Sequence, residues 1–519
     1  MPEIPRIHGT AIRPTRRSVV SAAVWAAPTI TVLSAAPAFA SSGRSATVTE
    51  TTGLASSGTG VVYLALDPAP TTAPAPVVVY DDRGASTTGF TIAGARGTAA
   101  IYRLAFRTTT RPMPATITVT LDIPDYGTAN AVVPMTLGGT LDTRVADLGL
   151  NAGSLSNGNG LLVQPDGKIL VAGDFSQAGT PQVARSRVAR FTPDGTLDPG
   201  FTSPQLSSSV FAIALQPDGK ILVGGIFSTV GPDATPRQGL VRLNADGTLD
   251  TSFANPGLND AVYAIAVLPD GKILVAGRFG TAGPDRTTVG RLARLNANGT
   301  LDTGFADPNL LSTTISFTNV IAYDLAVQPD GKILVTGNFN TAGPGDTPRG
   351  GLARFNSNGT LDTGFGDASL GGTSFPTGTG LALQSDGKVL VAGRFTTVKS
   401  QPRVGLARLT ANGTLDTGFQ PTQLDDLAYG VTLQADGKVL LTGDFTTFGS
   451  GKVSRRLLLR LNADGSLDTG FGDPALTGGD RPRVTAAAVD QDGLIYVTGT
   501  FSSAGSPSTA RGNLARFYG

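Results

Sequence analysis

Two stretches decide the fold: Gln216-Pro217-Asp218-Gly219-Lys220-Ile221-Leu222-Val223-Gly224-Gly225-Ile226-Phe227 and Arg242-Leu243-Asn244-Ala245-Asp246-Gly247-Thr248-Leu249-Asp250-Thr251-Ser252-Phe253. Each holds a tight turn between apolar runs. Asp218-Gly219 and Asp246-Gly247 suit three-residue hairpin loops, a type I turn closed by a glycine at positive φ. Ile221-Leu222-Val223 is apolar on both faces of a strand, as expected for a sheet packed between two others. Two hairpins make four strands. One such sheet cannot cover both of its own faces, so the unit must stack on copies of itself.

The copies are present. The Asp-Gly turn recurs at Asp166, Asp218, Asp270, Asp330, Asp386, Asp436 and Asp492, at spacings of 52, 52, 60, 56, 50 and 56 residues. Nine residues after each Asp stands a Phe: Phe175, Phe227, Phe279, Phe339, Phe395, Phe445 and Phe501. In the seventh copy Gln491 and Leu494 replace the usual Pro and Lys.

These segments resemble the delta-60 repeat family, whose repeats are regarded as β-propeller blades of unknown function. The resemblance covers residues 138–519 and implies a propeller without known catalytic residues. The fold class predicted is therefore all-β: a seven-bladed β-propeller closed by an N-terminal strand and preceded by a small β-sandwich.

Hairpin register places Arg242 opposite Asp250. The same eight-residue step joins Arg190 to Asp198, Arg294 to Asp302, Arg354 to Asp362, Arg408 to Asp416 and Arg460 to Asp468. These pairs are expected to be structural cross-strand contacts. The seventh Arg, Arg516, has no Asp after it. Asp142 in Gly139-Thr140-Leu141-Asp142 has no Arg before it. The two orphans predict that the N-terminal segment completes the last blade, which removes free sheet edges.

Upstream, residues 41–137 show short β-type runs: Val61–Leu66, Val77–Tyr80, Gly89–Ala93, Ala100–Phe106, Thr116–Ile123 and Ala131–Leu137. They read as the small β-sandwich. Residues 1–40 read as an export signal. Arg16-Arg17 resembles a twin-arginine motif, an ordinary secretory leader being the alternative, and Ala38-Phe39-Ala40 fits a cleavage site. The expected location is secreted or cell-surface, by the twin-arginine or the general secretory route. No further apolar run is long enough to span a membrane.

Composition narrows the chemistry. The chain has no Cys, His8 and Trp25 are single residues in the leader, and the only Glu are Glu3 and Glu50. A Ser-His-Asp or Cys-His nucleophile and a zinc, haem or thiolate centre are excluded after residue 40. Without the leader there are 36 basic and 38 acidic side chains, which leaves no electrostatic footprint for nucleic acid. Asn244, Asp246 and Asp250 look like calcium ligands, but Asn298, Asn358 and Asn412 stand where Asp246 does, and turn chemistry accounts for both residue types. No metal, cofactor or catalytic residue is expected.

The longer connections fall on the edge opposite the tight turns, and length variation gathers there, after Phe305, Phe365 and Phe471. Six copies carry an Arg five residues before the paired Arg: Arg185, Arg237, Arg349, Arg403, Arg455 and Arg511. One reading is a ligand-binding cationic rim; the other is arginines that bond backbone carbonyls. Tyr323 and Tyr429 lie near strand starts at the same edge, and stacking on sugars would fall to them. The function expected is a non-catalytic binding or scaffold propeller, a monomer whose partner is a cell-surface protein or glycan. The alternative is an Asp- and calcium-dependent propeller hydrolase or lyase.

Overall fold

The structure, a computed structural model, describes residues 138–519 except 144, 146, 151–157, 317–318, 422–423 and 480, and seven strands between Ser45 and Pro134. The predicted leader, with Arg16, Arg17 and Ala38-Phe39-Ala40, lies outside the described residues. Among the described residues the chain is all-β, with no α-helix.

The first strands are β1 (Ser45–Thr52), β2 (Thr59–Asp67), β3 (Val78–Tyr80), β4 (Ser86–Arg96), β5 (Ala99–Arg107), β6 (Thr116–Ile123) and β7 (Gly127–Pro134). They form two antiparallel sheets, ordered β1-β2-β5-β4 and β3-β6-β7. β1 approaches β7 and β3 approaches β4, so the sheets meet at both ends. β6 coincides with the Thr/apolar alternation of 116–123. β1 has no counterpart in the sequence expectation, because Ser45–Thr52 is mostly Thr, Ser and Ala with few large apolar residues.

Seven three-stranded antiparallel sheets follow, one per repeat. In the second copy the strands are Val210–Leu215, Ile221–Gly225 and Leu240–Leu243. Ile221 faces Leu215 on one side and Leu243 on the other. The first turn is closed by bonds from Gln216 N to Lys220 O and from Gly219 N to Gln216 O, at 2.8 and 3.0 Å. Gly219 and Gly247 take φ of 83° and 88°, where a Cβ would be strained. Gly247 has a second reason to be glycine: a Cβ there would lie 2.2 Å from the carbonyl oxygen of Thr202 in the preceding copy.

Two details depart from a plain four-stranded copy. The fourth segment is one bridge wide, as in Leu243 with Leu249. The chain cannot continue as a strand because the Asp250 carboxylate accepts the Ser252 N–H at 3.0 Å and turns the backbone at once. The polar loop between the second and third strands also folds, into a two-stranded ribbon such as Thr229–Val230 with Thr235–Pro236.

The core lies between copies rather than within them. Ala212, Ala214, Leu222 and Leu240 of the second copy pack with Val262, Ile265, Ile273 and Val275 of the third. The same holds between last and first: Ala486, Tyr496 and Leu514 share a cluster with Leu161, Ile169 and Val171. The first strand of each sheet lies against that of the next, and Arg483–Val489 lies against Gly158–Val163. Leu141 bridges Phe517, and Asp142 N donates to Arg516 O at 2.8 Å.

Candidate functional site

The tight-turn edge is occupied by a repeated latch. In each of the six internal pairs, and between Arg516 and Asp142, the arginine Nε donates to the aspartate Oδ2 at 2.7–2.8 Å. The same guanidinium lies over the closing Phe three residues after the Asp, 4.5–4.8 Å from the ring centre, from Arg190 on Phe201 to Arg460 on Phe471. Its Nη1 then reaches the second turn of the next copy. Arg190 donates to Ala245 O. Arg242, Arg294, Arg354 and Arg408 donate to the carbonyls of Ala297, Ser357, Ala411 and Ala463 at 2.5–2.6 Å. Arg516 donates to Pro193 O of the first copy at 2.8 Å. The turn lysines add a second cation, with Lys168, Lys220, Lys272, Lys332, Lys388 and Lys438 at 2.7–3.5 Å from the paired Asp. Burial opposes ionisation of Asp302, but bonds from Lys272 and Arg294 outweigh it and hold the carboxyl down at about 2. The seventh copy differs: Leu494 stands in place of Lys, and Arg516 lies over Tyr496 at 5.7 Å.

The calcium-like residues of the turns are occupied by their own loop. Asp246 Oδ1 accepts from Thr248 Oγ1 and N at 2.7 and 3.0 Å, which lowers its pKa, and Asn298 Oδ1 accepts from Thr300 in the same way. Among the described residues no group of three or more His, Cys, Asp or Glu is placed to hold a metal ion.

The six rim arginines sit where the ribbon rejoins the sheet. Each donates from Nη1 to the carbonyl of the residue before it: Arg185 to Ala184, Arg237 to Pro236, Arg349 to Pro348, Arg403 to Pro402, Arg455 to Ser454 and Arg511 to Ala510, at 2.7–2.9 Å. Arg349 and Arg511 are buried, the other four half-buried. Arg511 also reaches Val145 O at 3.2 Å. Arg185 alone among them lines a shallow cleft of about 350 Å³, beside Asp147, Thr180 and Thr196. The structure does not bring the six together, since each stays with its own sheet.

What the copies do not share is gathered elsewhere on the loop edge. Every first strand carries a β-bulge at its second or third residue, where the ladder skips Asn159, Phe211, Tyr263, Tyr323, Thr379, Tyr429 and Thr485. A bulge re-aims its side chain out of the ladder. Phe211 stacks on Tyr263 at 4.6 Å, and Tyr263 meets Tyr323 edge-on at 5.6 Å. Asn159 and Thr379 donate across to the next first strand, to Val210 O at 2.9 Å and Ala428 O at 3.0 Å, and Thr485 donates to Gly158 O.

Charged groups surround this belt unevenly. In the third copy Arg278 grips Asp260 with two bonds of 2.9 Å, which raises the guanidinium pKa, and Arg291 donates to Arg278 O at 2.6 Å. Arg291 is 2% exposed at φ 70°, and burial pulls its pKa down to about 10. In the sixth copy Tyr429 donates to Asp444 at 2.7 Å. Burial pushes both pKa values up; the Asp444 charge adds to the rise at Tyr429, while at Asp444 the Tyr429 hydrogen bond acts the other way and the Asp426 charge adds to the rise. One sector is thus cationic and aromatic, another acidic. Sequence reasoning singled out Tyr323 and Tyr429 but missed the belt. Aligned on Asp-Gly, the residue seven before it is Asn, Phe, Tyr, Tyr, Thr, Tyr and Thr, between neighbours that also change, so no shared residue type marks the place.

Comparison with known proteins agrees with the repeat. The family model described as domain of unknown function (DUF5122) beta-propeller matches residues 164–201, 216–253, 268–305, 328–365, 384–419 and 434–471. No curated protein matches the chain. Among solved structures, "Structure of surface layer protein SbsC, domains 4-9" aligns at 11% identity over 94% of this chain and 82% of that one, with a TM-score of 0.14. The matched segments fit the delta-60 resemblance: the chain carries six repeats that match the DUF5122 β-propeller model.

Proposed function

We propose that residues 138–519 form a seven-bladed propeller, with Gly139–Asp142 as the fourth segment of its last blade, residues 41–137 as a small β-sandwich before it and residues 1–40 as an export signal. On this reading the protein is a secreted, non-catalytic binding propeller, and its loop edge meets a cell-surface protein or glycan. No helix among the described residues is long and apolar enough to cross a membrane.

The observation that carries the reading is the contrast between the edges. The tight-turn edge repeats one latch, and its Arg and Lys are used on Asp. The loop edge holds the unlike residues, the length variation and the six rim arginines. Binding specificity resides on variable loops of a rigid scaffold.

The test is retention of the purified chain on a glycan array and on cell envelopes. Replacing Arg349, Arg403 and Arg455 by Ala together, or Arg278 by Ala, is expected to weaken binding at least tenfold, with binding also falling as salt rises. Asp218→Asn with Asp270→Asn on the tight-turn edge is expected to leave it unchanged. Loss with the turn variants and not with the arginine variants would move the site to the other edge.

A further inference from the structure

Two arginines of the loop edge are left over. The other half-buried arginines there are committed: Arg187 to Asp174 at 3.4 Å, Arg278 to Asp260, and the rim arginines each to the carbonyl before it. Arg394 and Arg483 are half-buried as well, yet neither side chain makes a hydrogen bond or ion pair among the described residues. Arg394 ends the second strand of the fifth copy, where it faces Thr377 in the ladder. Arg483 opens the first strand of the seventh copy, where it faces Thr500.

The sixth copy, between them, holds acceptors. The Tyr429 hydroxyl donates to Asp444 Oδ2 at 2.7 Å, and Asp444 Oδ1 is buried with no partner among the described residues. Asp426 is exposed and spends one oxygen on Leu427 N at 2.8 Å, which leaves the other as an acceptor. After burial and Asp444, the charges that the Tyr429 hydroxyl feels are those of Arg483 and Asp426, so both stand near it. The first strands of the three copies lie side by side, and Thr379 Oγ1 ties the fifth to the sixth through Ala428 O at 3.0 Å. On the same edge of the fifth copy stands Phe375, two residues before Thr377. It is 53% exposed and the one aromatic among the exposed large apolar side chains described. Tyr323 and Tyr429, the tyrosines expected to stack on sugars, are buried.

We propose that Phe375, Arg394, Asp426, Asp444 and Arg483 form a subsite for a neutral sugar ring. The proposal rests on the loop edge being the binding edge and goes further in naming the class of ligand. A sugar hydroxyl both donates and accepts, so a polyol needs unspent donors and acceptors side by side. Here the guanidiniums of Arg394 and Arg483 donate, and the carboxyls of Asp426 and Asp444 accept.

Three features favour this ligand. Two guanidiniums against two carboxyls come close to cancelling, so the place has little pull on an ion of either sign. The exposed Phe375 ring offers the flat apolar face that a pyranose covers. A peptide would instead need a continuous apolar groove, and the other exposed apolar side chains are scattered: Val183 and Ile226 on the first and second copies, Val453 on the ribbon of the sixth. Binding also offsets a local cost. Asp444 Oδ1 and Arg483 Nε are both buried and unbonded, which is unfavourable in each case. A hydroxyl that draws the two side chains outward gives one a donor and the other an acceptor.

The test is calorimetric titration of the full chain with cellohexaose, maltohexaose, mannohexaose and N-acetylchitohexaose, with hexagalacturonate as the acidic arm. At least one neutral oligosaccharide is expected to bind, and its affinity to change less than about twofold between about 0.05 and 0.5 M salt. Phe375→Ala and Asp426→Ala are each expected to weaken it about tenfold or more, and Arg394→Ala with Arg483→Ala to abolish it. Replacing Arg349, Arg403 and Arg455 by Ala together is expected to leave it unchanged. No neutral binding, binding of hexagalacturonate alone, binding that salt abolishes, or binding that Phe375→Ala leaves as it was would overturn the proposal. Binding lost in the rim variant but kept in Phe375→Ala would overturn it too, while leaving the loop-edge reading in place. If the double arginine variant does not fold, Phe375→Ala, on an exposed loop, decides alone.

Discussion

Arg516→Ala is expected to destabilise the chain by about 3–5 kcal/mol, the usual consequence of stripping the partner from a buried charge. Arg242→Ala, the same change in an internal copy, is expected to lose about half as much. The two arginines make similar first contacts, at 2.8 Å to Asp142 and 2.7 Å to Asp250. The difference lies in the turn lysine. Asp250 keeps Lys220 Nζ at 2.8 Å. The turn beside Asp142 carries Leu494 in place of that lysine, and a tyrosine hydroxyl lies 3.5 Å from the carboxylate. Each variant also releases one carbonyl of the following copy, Pro193 O or Ala297 O. Urea unfolding at pH 6 measures both. Equal losses in the two variants would mean that the turn lysines contribute nothing.

Deleting residues 138–143 is expected to cost about 5 kcal/mol or more, while deleting residues 45–134 changes the unfolding of the remainder by less than about 1 kcal/mol. The short segment removes Leu141, which is 7% exposed in the cluster of Phe471, Phe501 and Phe517, and it removes the partner of Arg516. It also removes the Gly138 carbonyl that accepts Gly472 N–H at 2.7 Å, the counterpart of Thr202 N–H on Asp246 O earlier in the chain. Marginal stabilities of about 5–15 kcal/mol make such a loss visible as partial unfolding at 25 °C. The melting temperatures of the two deletions, measured against the full chain, decide it.

The repeat was legible because its demands are backbone demands. Gly219 and Gly247 are required by positive φ, and Arg242 opposite Asp250 follows from the hairpin register. The orphan pair, Asp142 and Arg516, could be matched for the same reason. Three things were not legible. The fourth strand is one bridge wide because Asp250 turns its own chain, and a periodicity of two cannot show that. The ribbon at Thr229–Pro236 is too short and polar to stand out. The reach of Arg242 Nη1 to Ala297 O spans copies, so no local pattern contains it. The belt of bulged residues was hidden for another reason: a bulge makes a position tolerant, so Asn159, Phe211, Thr379 and Tyr429 share a place without sharing a chemistry.

The tie between the chain's N-terminal segment and its last strand is tested most directly by a cross-link. The protein has no cysteine, so a designed pair reports without background. Leu141→Cys with Phe517→Cys places two thiols at bridged positions. Leu141→Cys with Phe191→Cys is the control, since Phe191 bridges Leu197 instead. Under mild oxidation of the folded chain one intramolecular disulfide is expected in the 141/517 variant, seen by peptide mass after digestion, and none in the control. A free 141/517 pair, or a disulfide that forms in the 141/191 variant, would contradict it.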